Sequence, residues 1–151
     1  MGENRMAGTE DWEIVKAVNP EKGQAQVFRL RKTKPHGTHV RSLLTALSIR
    51  WSYDPASVFP KGEEKEAILK FERATDRLTE ENGHSELVLV ATGMGVKEWL
   101  YYVDDPSLFM ATLNDVLGGE EPYPISVEWY EDPQWNLWRQ TVDAVDERAG
   151  T

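Results

Sequence analysis

Alternation of apolar and polar residues along the chain predicts six short strands. The segments at 12–18 (WEIVKAV) and 25–31 (AQVFRLR) predict an N-terminal hairpin around the turn NPEKGQ. The segment LSIRWSY at 47–53 has the period of two that is typical of a half-buried strand. The remaining strands are predicted at residues 86–91, 96–103 and 124–130. The TGMG sequence between the fourth and fifth strands predicts a tight antiparallel hairpin.

Apolar residues at three- and four-residue spacing predict three helices. The first covers about residues 62–82, with Glu and Lys on its polar face. Asp105 is expected to cap the second helix, with Pro106 at its first position and a Gly-Gly pair at its end. Asp132-Pro133 repeats this helix start, and we expect the last helix to begin there and to end near residue 146.

The order of these elements predicts an α+β fold with one domain. From the third strand onward the order is strand, helix, strand, strand, helix, strand, which is the ferredoxin-like (βαββαβ) antiparallel sheet. An N-terminal β-hairpin and a C-terminal helix are added to it. We expect the domain to span residues 11–146, with a disordered tail at 1–10 and a second tail at 147–151.

The strand VKEWLYYV is apolar on both faces, with Trp99 and Tyr101 on one side and Leu100 and Tyr102 on the other. Two helices can cover only one face of such a sheet. We therefore expect the C-terminal helix to cover the second face. The alternatives for covering this face are a ligand and a second subunit in a homodimer.

Composition narrows the classes of function. The 151-residue chain has a net charge of −9 and contains no cysteine, which excludes disulfides, thiol catalysis and Cys-type zinc sites. Such a charge repels nucleic acid and anionic membranes and favours a basic protein or a cationic ligand. Its other explanation is that it keeps the protein soluble. The sequence has no secretory h-region and no apolar run near the roughly 18 residues of a membrane span, so we expect a cytoplasmic protein.

Motifs for metals and cofactors are weak. His36 and His39 lie in a Pro/Gly loop without a third ligand at recognisable spacing, so a metal site is not predicted. GMGVKE lacks the third glycine of a dinucleotide fingerprint and joins two strands, whereas a phosphate site requires the N-terminus of a helix. We expect no cofactor, and we do not expect an enzyme, although catalysis stays open.

Aromatic residues and carboxylates cluster in EWYEDPQWNLW at 128–138 and again around the fifth strand. This combination is typical of partner-binding surfaces, and also of sugar-binding pockets. Trp129 and Trp135 are expected in the core, while Tyr130 and Trp138 are expected at the surface. The candidate binding residues are Trp99, Tyr101, Glu98, Glu128, Glu131, Tyr130 and Trp138.

Several segments resemble the bacterial family called domain of unknown function 695. They are IRWSY, FERATDRL, VKEWLYY, LFMATLND and YPISVEWYEDPQW, in that order. The resemblance runs from about Ile49 to Trp135, and the N-terminal hairpin is matched poorly. Its most distinctive parts are Glu98, Trp99 and Tyr102 in the fifth strand and the Glu131–Trp135 corner. The family implies no reaction and no catalytic residues.

Together these features predict a non-enzymatic module that binds another protein, which is expected to be basic. An inhibitor or immunity protein for a basic nuclease is one specific case, by analogy of size, charge and fold. The alternative is a binder or hydrolase of a small molecule or carbohydrate that uses an aromatic and carboxylate pocket near Trp99 and Glu128.

Overall fold

The structure, a computed structural model, describes residues 12–18, 21, 23–79, 83–119 and 123–150, without the side chains of residues 79 and 147–150. Its strands are β1 (Trp12–Val18), β2 (Ala25–Arg31), β3 (Thr45–Ser52), β4 (Ser85–Gly93), β5 (Val96–Val103) and β6 (Ile125–Glu131). The α-helices of the described residues are α1 (Gly62–Thr79), α2 (Pro106–Val116) and α3 (Asn136–Gly150). The predicted tail at 1–10 and residue 151 lie outside the described residues.

All six strands belong to one antiparallel sheet, in the order β1-β2-β4-β5-β3-β6. The predicted α+β class and the N-terminal hairpin are therefore confirmed. This hairpin extends the sheet through the pairing of β2 with β4, in which Phe28 lies opposite Ala91. β6 stands at the other end and pairs with β3.

The tight antiparallel hairpin predicted between β4 and β5 is present, and its turn consists of two residues. Met94 and Gly95 both have positive φ, at 58° and 84°. Two consecutive residues with positive φ are the signature of a type I′ turn, whose twist matches that of the strands. This turn sets the register that places Trp99 of β5 opposite Val90 of β4.

Each face of the sheet is covered by helices. On one face α1 and α2 enclose a core that contains Trp51, Phe71, Trp99, Tyr101 and Phe109. On the other face α3 encloses a second core, with Phe28, Tyr102, Trp135, Trp138 and Val142. The prediction that the C-terminal helix covers the second face of the sheet is confirmed.

Two predictions about exposure are wrong. Trp129 was expected in the core, but it is 46% exposed. The reason is its position on the edge strand β6: Ile125 and Val127 still pack against the core, whereas Trp129 lies further along the edge. Trp138 was expected at the surface, but it is only 3% exposed, and its indole donates a hydrogen bond to the Arg31 carbonyl at 2.9 Å.

The helix ends follow the predictions at α2 and differ at α3. The Asp105 carboxylate accepts hydrogen bonds from the amides of Ser107 and Leu108, so the predicted cap is confirmed. α3 begins at Asn136 rather than at Pro133, because residues 133 and 134 form a turn and Trp135 has a left-handed φ of 58°. The helix continues to Gly150, beyond its predicted end.

Candidate functional site

A groove remains open on the face of the sheet that α3 covers. It lies between α3 and the strands β2 to β6, and has a volume of about 290 Å³. Its wall on the helix side includes Leu137 and Thr141. Its floor carries polar side chains from three neighbouring strands: Ser48, Arg50, Glu98, Glu128 and Tyr130. We call this feature the sheet–helix groove.

The antiparallel register brings these polar side chains to one face. Arg50 of β3 lies opposite Glu98 of β5, and Ser48 lies opposite Glu128 of β6. Residues that are directly opposite each other point to the same side of a sheet. Because side chains alternate along a strand, Tyr130 shares this side with Glu128. Two carboxylates that are 30 positions apart in the sequence therefore face one groove.

The groove has an excess of negative charge. Glu98 accepts hydrogen bonds at the same oxygen from the Ser48 hydroxyl at 2.5 Å and from Arg50 Nε at 3.4 Å. No cation of the described residues lies within ion-pairing distance of Glu128, which is exposed. Burial, followed by the nearby carboxylates of Asp132 and Glu98, raises the pKa of Tyr130, so its hydroxyl stays neutral. One guanidinium therefore offsets two carboxylates.

A second cavity continues the groove along α3. It has a volume of about 400 Å³ and shares Phe28, Leu137 and Thr141 with the first. From there it reaches Met94 and Val145, so this part of the groove is mainly apolar. The two cavities together provide an elongated site that is acidic at the β6 end and apolar towards the β4–β5 turn.

Asp132 fixes the start of α3 and with it one wall of the groove. Its carboxylate accepts hydrogen bonds from the amides of Asn136 and Leu137, at 2.9 and 3.0 Å, and from the Tyr102 hydroxyl at 2.7 Å. Burial by itself would raise the pKa of Asp132, but the hydrogen bonds from Leu137, Tyr102 and Asn136 outweigh it and lower this pKa. The cap is therefore ionised at neutral pH, as a helix N-terminus favours.

The groove contains three of the seven predicted binding residues, namely Glu98, Glu128 and Tyr130. Glu131 is exposed on the opposite face of β6, where it pairs with Thr45 of β3.

The three remaining predicted residues lie in the cores. Trp99 and Tyr101 are each 2% exposed beneath α1 and α2, and the Trp99 indole donates to Glu72 of α1 at 3.0 Å. Trp138 is buried beneath α3. Their apolar side chains shape the protein interior, so they offer no surface to a partner in this structure.

The groove also contains residues that were not predicted, among them Ser48, Arg50, Phe28 and Leu137. For Ser48 and Arg50 a signal exists, because they are the polar positions of a strand whose other positions are apolar. This pattern is also typical of a solvated strand face. Phe28 and Leu137 come from the hairpin and from α3, and only the packing of these elements brings them to the groove.

Two of the three histidines have protein partners. His39 Nε2 lies 2.7 Å from Glu86 Oε2, and His84 Nδ1 lies 2.7 Å from Asp104 Oδ2. Within the described ranges, no three His, Asp or Glu side chains are grouped so that they could hold a metal ion. In the same ranges, no helix is both long enough and apolar enough to cross a membrane.

Comparison with known protein families assigns the chain to one of them. The family described as "Family of unknown function (DUF695)" matches residues 10–142. The chain belongs to this family. The match confirms the resemblance and also covers the N-terminal hairpin of this DUF695 chain, where the resemblance was poor. No curated protein and no solved structure matches the chain.

Proposed function

We propose that this DUF695 protein binds another protein and holds a basic segment of it in the sheet–helix groove. The observation that carries the proposal is the presence of Glu98 and Glu128 in one groove that continues along α3 into a mainly apolar part. Lysine and arginine combine an aliphatic stem with a cationic head, so they match both parts of such a site. Charge-assisted hydrogen bonds to carboxylates would then orient the segment.

The charge of the whole chain supports the same class of partner. A net charge of −9 attracts a basic protein over a distance and accelerates its association. An inhibitor or immunity protein for a basic nuclease would use this effect. Binding of this kind weakens as salt is added, because salt screens charges that remain exposed.

The test is a pull-down from lysate of the native organism, with matched pairs of charge-removing substitutions. Glu98→Gln with Glu128→Gln removes both groove carboxylates. Glu63→Gln with Glu66→Gln removes the same charge from the exposed surface of α1. We expect a basic partner that the wild type and the α1 variant retain at low salt, and that the groove variant loses. Equal retention, or equal loss, by the two variants would rule out the groove as the binding site.

The second candidate function is the binding or hydrolysis of a small molecule or carbohydrate in the same groove. It is favoured by the volume of about 290 Å³, which is close to the lower end of the range for small-ligand pockets. It predicts that sugars or other neutral ligands shift the NMR signals of Tyr130 and Leu137. A partner protein that competes with such a ligand would unite the two functions in one site.

We also propose that β3 to β6, with α1 and α2, form a ferredoxin-like unit to which the hairpin and α3 are added. The antiparallel order β4-β5-β3-β6 supports this assignment. An experimental structure in which β6 pairs with a strand other than β3 would contradict it.

A further inference from the structure

No strand of the described residues pairs with the outer edge of β6. β6 is the last strand of the sheet, and among the described strands it pairs only with β3. The backbone amides and carbonyls of its other edge are therefore available to an additional strand. Its seven residues, Ile125–Glu131, are long enough to pair with a short extended segment.

The side chains of β6 favour a basic segment at this edge. Glu128 and Tyr130 point to the groove side, while Trp129 and Glu131 point to the opposite side. Trp129 is 46% and Tyr130 52% exposed. β6 carries two carboxylates and no basic residue. Exposed Trp and Tyr residues flanked by charge are typical of residues that dominate binding energy in protein interfaces.

The other edge of the sheet has a different charge. β1 carries Lys16 as well as Glu13, and the guanidinium groups of Arg29 and Arg31 on β2 lie 5.0 and 5.2 Å from the Trp12 ring. A basic segment is thus attracted to β6 and not to β1. A second copy of the chain is disfavoured at β6, because two acidic edges would face each other.

We propose that the partner adds its basic segment to β6 as a seventh strand of the sheet. This inference rests on the proposed function, because the sheet–helix groove must hold the side chains on one face of the added strand. Alternate residues of the added strand point into the sheet–helix groove, where Glu128 receives their cationic groups. The residues between them lie on the opposite side, along Trp129 and Glu131. Backbone pairing then provides affinity, and the alternation of side chains provides selectivity.

The test uses a nine-residue peptide that alternates lysine and valine, together with two N-methylated analogues. One analogue is methylated at the lysine amides and the other at the valine amides. The amides of alternate residues point to opposite edges of a strand, so only one set faces β6. Binding is measured by fluorescence anisotropy at low salt. We expect one analogue to lose at least about tenfold in affinity and the other to bind like the parent peptide.

Two substitutions locate the binding edge. Trp129→Ala on β6 should weaken binding of the parent peptide at least about fivefold, by loss of an aromatic anchor. Ile14→Ala on β1 is the matched control, since Ile14 is also a large exposed residue on an edge strand. We expect this control to leave the affinity unchanged. Circular dichroism verifies that both variants are folded.

Several outcomes would overturn strand addition: no binding of the parent peptide, equal affinity of the two analogues, or equal effects of the two substitutions. A dimer in analytical ultracentrifugation that Trp129→Ala abolishes would assign the edge to a second copy and would also overturn it. The groove proposal and the strand-addition proposal can fail independently of each other. If Glu98→Gln with Glu128→Gln weakens binding while both analogues bind like the parent, the groove stands without strand addition.

Discussion

The Tyr102 ring stacks on the Trp135 indole, with ring centroids 4.1 Å apart and planes 8° from parallel. The contact joins β5 to the turn before α3. Trp135 is fully buried, and its indole donates to the Leu43 carbonyl at 2.8 Å. Its left-handed backbone costs roughly 1–2 kcal/mol in a residue other than glycine. Packing against Tyr102 and Trp138 offsets this cost and so holds α3 on the sheet.

Replacement of Trp135 should therefore be strongly destabilising. We expect Trp135→Ala to lower the free energy of unfolding by about 3–5 kcal/mol, since it leaves a large cavity in the core. Urea unfolding followed by circular dichroism measures this loss. Trp129→Ala is the control, because the exposed Trp129 should change stability by much less. Similar losses in the two variants would contradict the role of the stack.

Ionisation of Asp132 should make stability depend on pH. Its pKa is lowered from 3.8 in the folded state. Its contribution is therefore fully present above pH 3.8 and is lost as the pH falls through the folded pKa. We expect Asp132→Asn to be less stable than the wild type by about 1–3 kcal/mol at pH 7, since it breaks hydrogen bonds to a buried carboxylate. Urea unfolding between pH 7 and pH 3 should show this difference decreasing below about pH 4. A difference that does not change with pH would contradict the assignment.

Removal of Arg50 should strengthen the binding of a basic segment. Its guanidinium lies 3.4 Å from Glu98 and competes with any cation that enters the groove. We expect Arg50→Gln to raise the affinity for the lysine–valine peptide about two- to fivefold, because a partly exposed ion pair is worth about 0.2–1 kcal/mol. Arg73→Gln on the exposed surface of α1 removes the same charge and should have a smaller effect. Equal gains in affinity in the two variants would show that the change in net charge alone explains the effect.

The β4–β5 turn offers a stabilising substitution. Asn is preferred over other side chains at the first position of a type I′ turn, where Met94 has φ of 58°. We expect Met94→Asn to raise the midpoint of thermal unfolding and the free energy of unfolding by up to about 1 kcal/mol, because asparagine adopts the left-handed conformation at a lower cost than methionine. Gly95→Ala should lower this midpoint, because φ is 84° and the new Cβ would lie 3.0 Å from Pro55 Cβ. A loss of stability in Met94→Asn would show that the Met94 side chain packs in a way that outweighs the turn preference.

Local sequence patterns were sufficient to predict most strands and helices, but they were not sufficient to predict the sheet–helix groove. β1 and β2 begin and end where the alternation of residues predicts, and Asp105 caps α2 as expected. The groove depends on pairs such as Arg50 with Glu98, which are far apart in the chain. No local signal distinguishes their strand face, which is polar and open to a groove, from one that only faces solvent.

By itself the sequence determined the family, the α+β class and the tight hairpin between β4 and β5. It also determined that both faces of β5 must be covered. These properties depend on the spacing and type of neighbouring residues. The tertiary structure alone decided that Trp138 is buried, that Trp129 is exposed and that Glu98 and Glu128 share a groove. The physical reason is that strand order and the position of α3 determine which part of each face is covered, and both arise from contacts between distant segments.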